Sequence, residues 1–150
     1  MNLIELKDYL KDVSLRHKDV KSFEYGSDFD IAANKKDVYP QIFLELPFLI
    51  DFNLESNPAV DDVTIAFNVL VNIAADDIEA DFNAISYAKD IGDMIVNYIN
   101  ETCDDFKISS TSSLSLREHS DDSVAGMRYD LVLQLPRPCV LDYNEIFNLE

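Results

Sequence analysis

Leu3, Leu6, Leu10 and Val13 recur at spacings of three and four, with Asp, Lys and Arg between them. That is the period of an amphipathic helix over residues 2–16. Asn2 offers an N-cap oxygen, and Glu5, three residues on, the reciprocal acceptor of a capping box. The stretch VKSFEYG that follows is rich in strand formers and runs into Gly26-Ser27-Asp28, a tight-turn composition. FDIAA is then expected to return as the second arm of a small hairpin.

Strict alternation sets in next. Over residues 38–50 the even positions are Val38, Pro40, Ile42, Leu44, Leu46, Phe48 and Ile50, with Tyr39, Gln41, Phe43, Glu45 and Pro47 on the other face. Over 63–73 every odd position is apolar: Val63, Ile65, Phe67, Val69, Val71 and Ile73. The connector DFNLESNPAVDD is turn-rich. From 78 to 103 the period changes to 3.6, with Ile78, Phe82, Ile85, Ala88, Ile91, Ile95 and Tyr98 as a helical stripe, interrupted by Gly92 and preceded by Asp76-Asp77.

Alternation returns over 106–117. Phe106, Ile108, Leu114 and Leu116 share one face with Ser110 and Ser112, against Lys107, Ser109, Thr111, Ser113, Ser115 and Arg117 on the other. REHSDDSVAG reads as a turn. Met127, Tyr129, Leu131, Leu133 and Leu135 form a last strand closed by Pro136 and Pro138. Runs of strands interrupted by one helix predict an α+β fold, a mainly antiparallel sheet packed by an N-terminal helix and one long central helix. Residues 1–150 read as a single domain, because 150 residues suffice for a core and the three glycines and five prolines are dispersed. Residues 139–150 retain Val140, Leu141, Tyr143, Ile146 and Phe147, an apolar C-terminal segment expected to dock on the domain or on a neighbouring subunit.

Charge changes the picture most. Twenty-nine acidic residues against 12 basic ones give −17. A phosphate-gripping groove needs clustered Lys and Arg, and the basic residues here are scattered singly or in the pair Lys35-Lys36. The acidity serves solubility, or a surface that faces DNA without adhering to it. Cys103 and Cys139 form no CxxC motif and are expected as free thiols. The N-terminus lacks a signal-peptide pattern, and no run approaches the ~18 apolar residues of a membrane helix.

Candidate chemistry is sparse. Gly26-Ser27 followed by Asp28 and Asp30 resembles the metal-binding core of nucleotidyltransferases, which would use both carboxylates on Mg²⁺. That core needs a helix between the Gly-Ser pair and the carboxylates, and here nothing separates them. The acidic pairs at 61–62, 76–77, 104–105 and 121–122 lack the alternation of a calcium loop. His17 and His119 have no second ligand at a metal-binding spacing, and no Ser stands in a GxSxG elbow. The sequence is read as non-enzymatic, with no cofactor. A nucleotidyltransferase-like enzyme using Asp28 and Asp30, or an acidic DNA mimic, are the alternatives.

The order of elements, with DVYPQIFLELPFLIDF and AGMRYDLVLQLPRPC as its two telling stretches, resembles the tail-terminator and neck-completion proteins of tailed bacteriophages. The resemblance implies a structural virion protein, assembled in the bacterial host cytoplasm. It would form a homo-oligomeric ring, hexamer or dodecamer, at the head–tail joint between the portal or connector and the tail proteins, with DNA passing through unbound. Tyr39, Phe43, Glu45, Tyr143, Ile146 and Phe147 are the subunit-interface candidates, and no membrane contact is expected.

Overall fold

The computed structural model describes residues 1–26, 38–52, 59–73, 78–119 and 123–137. Two helices, α1 (Leu3–Arg16) and α2 (Ile78–Thr102), accompany five strands: β1 (Ser22–Gly26), β2 (Gln41–Phe52), β3 (Val60–Asn72), β4 (Lys107–His119) and β5 (Ser123–Pro136). The fold is α+β, as the pattern predicts. Its α1 starts on the expected capping box: Glu5 N–H donates to Asn2 Oδ1 at 2.8 Å and Asn2 N–H to Glu5 Oε2 at 2.7 Å.

The sheet runs β1-β2-β3-β5-β4. All its pairings are antiparallel except β1 with β2, which run parallel from Ser22↔Gln41 to Gly26↔Glu45. A parallel neighbour cannot be reached through a two-residue turn. The second arm of the expected hairpin, at 29–33, lies outside the described residues. Because β3 and β4 both run antiparallel to β5, they are parallel to each other. The unit β3-α2-β4 is therefore a split βαβ crossover with β5 inserted between its strands.

One sheet face carries the main core. Leu6, Leu10 and Val13 of α1 and Ala88, Ile91, Ile95 and Ile99 of α2 pack on Ile42 and Leu44, on Val63, Ile65, Phe67 and Val69, and on alternate residues from Met127 to Leu135. Two irregularities decide which side chains reach it. In β2 the register slips between Glu45 and Leu49, where Pro47 has no N–H to give the ladder. Two residues are absorbed there, so parity is kept: Ile50 pairs with Val63 as Ile42 pairs with Val69. In β4 the slip between Ile108 and Ser110 absorbs one residue and reverses parity. Ile108 stands opposite Leu133 on the core side, whereas Leu114 and Leu116 stand opposite Arg128 and Gly126 on the outer side. The single apolar face expected for this strand is thus divided between two.

The stripe of α2 is also rotated from its expected position. Ile78, Phe82 and Tyr98 are exposed, and the buried line runs through Ala84, Ala88, Ile91, Gly92, Ile95 and Ile99. Small residues at 84, 88 and 92 let the helix axis approach the sheet. A Cβ on Gly92 would lie 2.1 Å from Cε2 of Tyr129. That ring is held from below by stacking on Phe67, with centroids 5.1 Å apart and planes 8° from parallel. Its hydroxyl lies 3.0 Å from the Lys89 carbonyl and 2.7 Å from Asp93 Oδ1. Neither contact leaves the ring free to yield.

Gly92→Ala is therefore expected to destabilise the chain by about 2–3 kcal/mol, against a helix-propensity gain of about 1 kcal/mol. In a Tyr129→Ala background the same substitution should be neutral or stabilising, a coupling that a double-mutant cycle of urea unfolding reads directly. Equal effects of Gly92→Ala in the two backgrounds would remove the ring from this role.

Candidate functional site

The outer face of the sheet, opposite the helices, gathers the polar and apolar side chains that the main core does not use. At one end Tyr39, Phe43, Leu70 and Val124 form a second buried cluster, with Val38 and Leu116 packed against it. Gly126 belongs to the same end, where a Cβ would sit 1.8 Å from the Val69 carbonyl oxygen, so only glycine lets β5 lie this close to β3. Phe43 does lie on the opposite strand face from Ile42 and Leu44, as the alternation predicts. Together with Tyr39, however, it is buried within its own chain, and neither offers exposed area to a neighbour. The reason is local: Leu70 and Val124 bring apolar surface to the same end of the outer face.

Glu45 stands in the middle of this face. Its Oε1 accepts from Asn68 Nδ2 at 3.0 Å, and its Oε2 lies 3.1 Å from Arg128 Nη2, which also reaches Asp130 Oδ1 at 3.3 Å. Three strands are joined here by charge and hydrogen bonds. Asn68 is only 1% exposed, and its Oδ1 has no hydrogen-bond partner among the described residues; the same holds for Oε1 of Gln41, also 1% exposed. Glu45 is thus engaged inside its own subunit. Tyr143, Ile146 and Phe147, the remaining interface candidates, lie outside the described residues, as do Asp28 and Asp30.

A second polar cluster ties α2 to β5. Asp93 accepts from Lys89 Nζ and from the Tyr129 hydroxyl. Burial pulls the Asp93 carboxyl upward, but these hydrogen bonds outweigh it and its pKa falls below the ordinary value. Burial first, then the bond to Asp93, push the Tyr129 hydroxyl well above the tyrosine range. A carboxylate that binds protons weakly, facing a phenol that releases them reluctantly, anchors a helix and is badly matched to proton transfer near neutrality. A groove of about 260 Å³ opens beside it, lined by Asp93, Asn97, Thr111, Ser113 and Tyr129. A smaller apolar cavity of about 190 Å³ lies between the helices at Val13, Arg16, His17, Ile95 and Tyr98.

The remaining candidates fall into structural places. His17 caps α1, and its Nδ1 accepts from Asp19 N–H at 3.1 Å. Cys103 follows the last turn of α2 beside Tyr9, whose hydroxyl is pushed up to about 12 by burial and then by the contact with Cys103. Among the described residues no three His, Cys, Asp or Glu side chains gather as metal ligands. Sequence reasoning missed Asn68, Arg128 and Asp130 as a cluster. The signal was present in the outward positions of their strands, where charged and amide residues interrupt an otherwise apolar run, but pairing of their strands was needed to bring them together. No protein-family model matches the chain, and no curated protein is significantly similar to it.

Two measurements follow from this arrangement. Arg128→Met strands two carboxylates and is expected to cost about 1–2 kcal/mol in urea unfolding, and Glu45→Gln less than about 1 kcal/mol. Tyr9 and Tyr129 bind their protons more tightly when folded. Their contribution is therefore complete below the ordinary tyrosine value near 10 and is lost as pH rises beyond it. Asp93, depressed when folded, contributes above its ordinary value of 3.8 and loses this below it. At least three of the seven tyrosines, Tyr9, Tyr87 and Tyr129, should ionise late in a phenolate absorbance titration and join the others once the chain is denatured; seven coincident titrations in the folded protein would contradict the burial argument.

Proposed function

We propose that this chain is a ring-forming structural protein of a tailed-phage virion, placed at the joint between head and tail. The observation that carries the reading is the amount of large apolar surface left uncovered on so acidic a chain. Phe82, Met94 and Ile78 stand exposed on α2, and Leu49, Phe52 and Leu114 on the sheet. Scattered exposed leucines are ordinary, but several large side chains on two layers of one small domain point to burial by association. Strand edges and a helix back are surfaces from which a head-to-tail contact can be built, and a head-to-tail contact closes into a ring when its rotation permits.

The charge suits the same place. A net charge of −17 leaves a channel wall short of cations, so that a polyanion moves past without being held. Among the described residues three arginines are committed to carboxylates: Arg117 to Asp81 at 3.0 Å, Arg128 to Glu45 and Asp130, and Arg137 to Asp61 at 2.7 Å. The Asp93–Tyr129 cluster, with its pKa values moved apart in the unhelpful sense, gives an enzymatic reading nothing to build on.

Native mass measurement of the purified chain, and of disassembled particles, tests this reading. A closed oligomer is expected, reduced to smaller species by Ile78→Asp with Phe82→Asp. Because both side chains are exposed, that pair should change folding stability by no more than about 1 kcal/mol. A wild-type chain that stays monomeric at high concentration and never enters particles would overturn the proposal.

A further inference from the structure

β4 borders the sheet with an edge that, from Ser110 to Leu116, carries none of the usual protection. Edge strands are normally kept from pairing with other chains by shortness, by lysine or proline, or by bulges that turn the backbone away. The only irregularity in β4 is the slip at Ile108–Ser110, near its start. From Ser110 to Leu116 the ladder with β5 is unbroken, pairing Ser110↔Val132 through Leu116↔Gly126, and the segment contains no proline, glycine or charge. Every residue from Ser109 to Ser115 is exposed, and among the described residues β5 is the only strand paired with β4. An antiparallel strand turns alternate N–H and C=O groups to each side, so a row of them faces outward here.

We infer that this edge pairs with the same edge of a second copy, antiparallel, through Ser110–Leu116, to make one continuous sheet across two subunits. Charge selects the partner. Two chains of −17 repel over most of their surface, yet this strip is neutral, with Lys107 and Arg117 beyond its ends and Arg117 already held by Asp81. Side-chain chemistry agrees. Thr111, Ser113 and Ser115 lie on the core side, and Ser110, Ser112, Leu114 and Leu116 on the outer side. An antiparallel self-pair about the middle of the segment sets hydroxyl against hydroxyl on one side. On the other it covers part of Leu114, which is 67% exposed in the single chain. A two-fold contact of this kind is self-complementary by construction, since each copy offers what the other needs. One strand pair buries less than the usual ~1,200 Å² of a tight interface, so alone it makes a reversible dimer that forms as concentration rises.

This pairing stands on the edge itself and does not require the ring reading, because a closed ring needs a separate head-to-tail surface. Sedimentation equilibrium of the full chain, with hydrogen exchange of the β4 amides, tests it. Wild type should dimerise, or carry the contact within a larger assembly, with part of the 110–116 amides protected at high concentration. Thr111→Glu with Ser113→Glu, both at exposed positions, should retain the wild-type circular dichroism, with thermal unfolding lowered only slightly by the Asp93 carboxylate across the groove. It should lower the mass, by half where wild type is a dimer, and free those amides. A chain with an equal charge change on α1, the exposed Lys11→Glu, should behave as wild type. A Thr111→Glu/Ser113→Glu variant of unchanged mass and unchanged amide protection would overturn the inference while leaving a ring intact. A wild-type monomer with freely exchanging edge amides would overturn both.

Discussion

The close approach of α2 to β5 at Gly92 and Tyr129 is the constraint on which the rest of the structure depends. Between β3 and β4 the chain must cross the sheet on one helix, and β5 must then enter the gap that the crossover leaves. A helix standing at the usual side-chain separation would leave the hydroxyl of Tyr129 buried without a partner, at a cost of about 1–3 kcal/mol. With glycine at 92 the helix sits low enough for that hydroxyl to reach the Lys89 carbonyl and the Asp93 carboxylate. Phe67, stacked on the same ring, carries the contact through to β3. The three elements of the crossover are fixed together by one aromatic side chain.

That arrangement explains the distribution of surface. Because α2 approaches on a line of small residues, its larger apolar residues are displaced to its flanks, and Phe82 and Met94 come out on exposed sides. On the outer face, glycine plays the corresponding part at 126, where β5 presses against the β3 backbone. The apolar cluster there closes over Phe43 and Tyr39, and the charged centre at Glu45 and Arg128 closes over Asn68. What is left for other molecules is the helix back, the lower part of the sheet and the β4 edge.

These leftovers are of two physical kinds. Exposed side chains such as Phe82 gain by losing water contact and bind with little direction. The β4 edge gains by pairing backbone groups, which demands one orientation and one register. In the assembly proposed above, area would supply strength and the ladder would supply geometry. The negative charge acts as a common background that weakens every contact not made on a neutral strip.

Much of the fold was legible in the sequence. The capping box of α1, the core sides of β2, β3 and β5, and the extent of α2 follow from periodicity, because burial on one face repeats every 2 or 3.6 residues whatever the partner. The sequence by itself therefore determined the elements, the α+β class and the net acidity of the chain. It could not determine strand neighbours, so the parallel β1–β2 pair, the insertion of β5 and the meeting of Glu45, Asn68 and Arg128 were decided only in three dimensions. Nor could it reveal one extra residue at Ile108–Ser110, which sends Leu114 outward and Ile108 inward. A bulge leaves no mark on composition or period; it appears only when a strand is laid against a partner that counts differently.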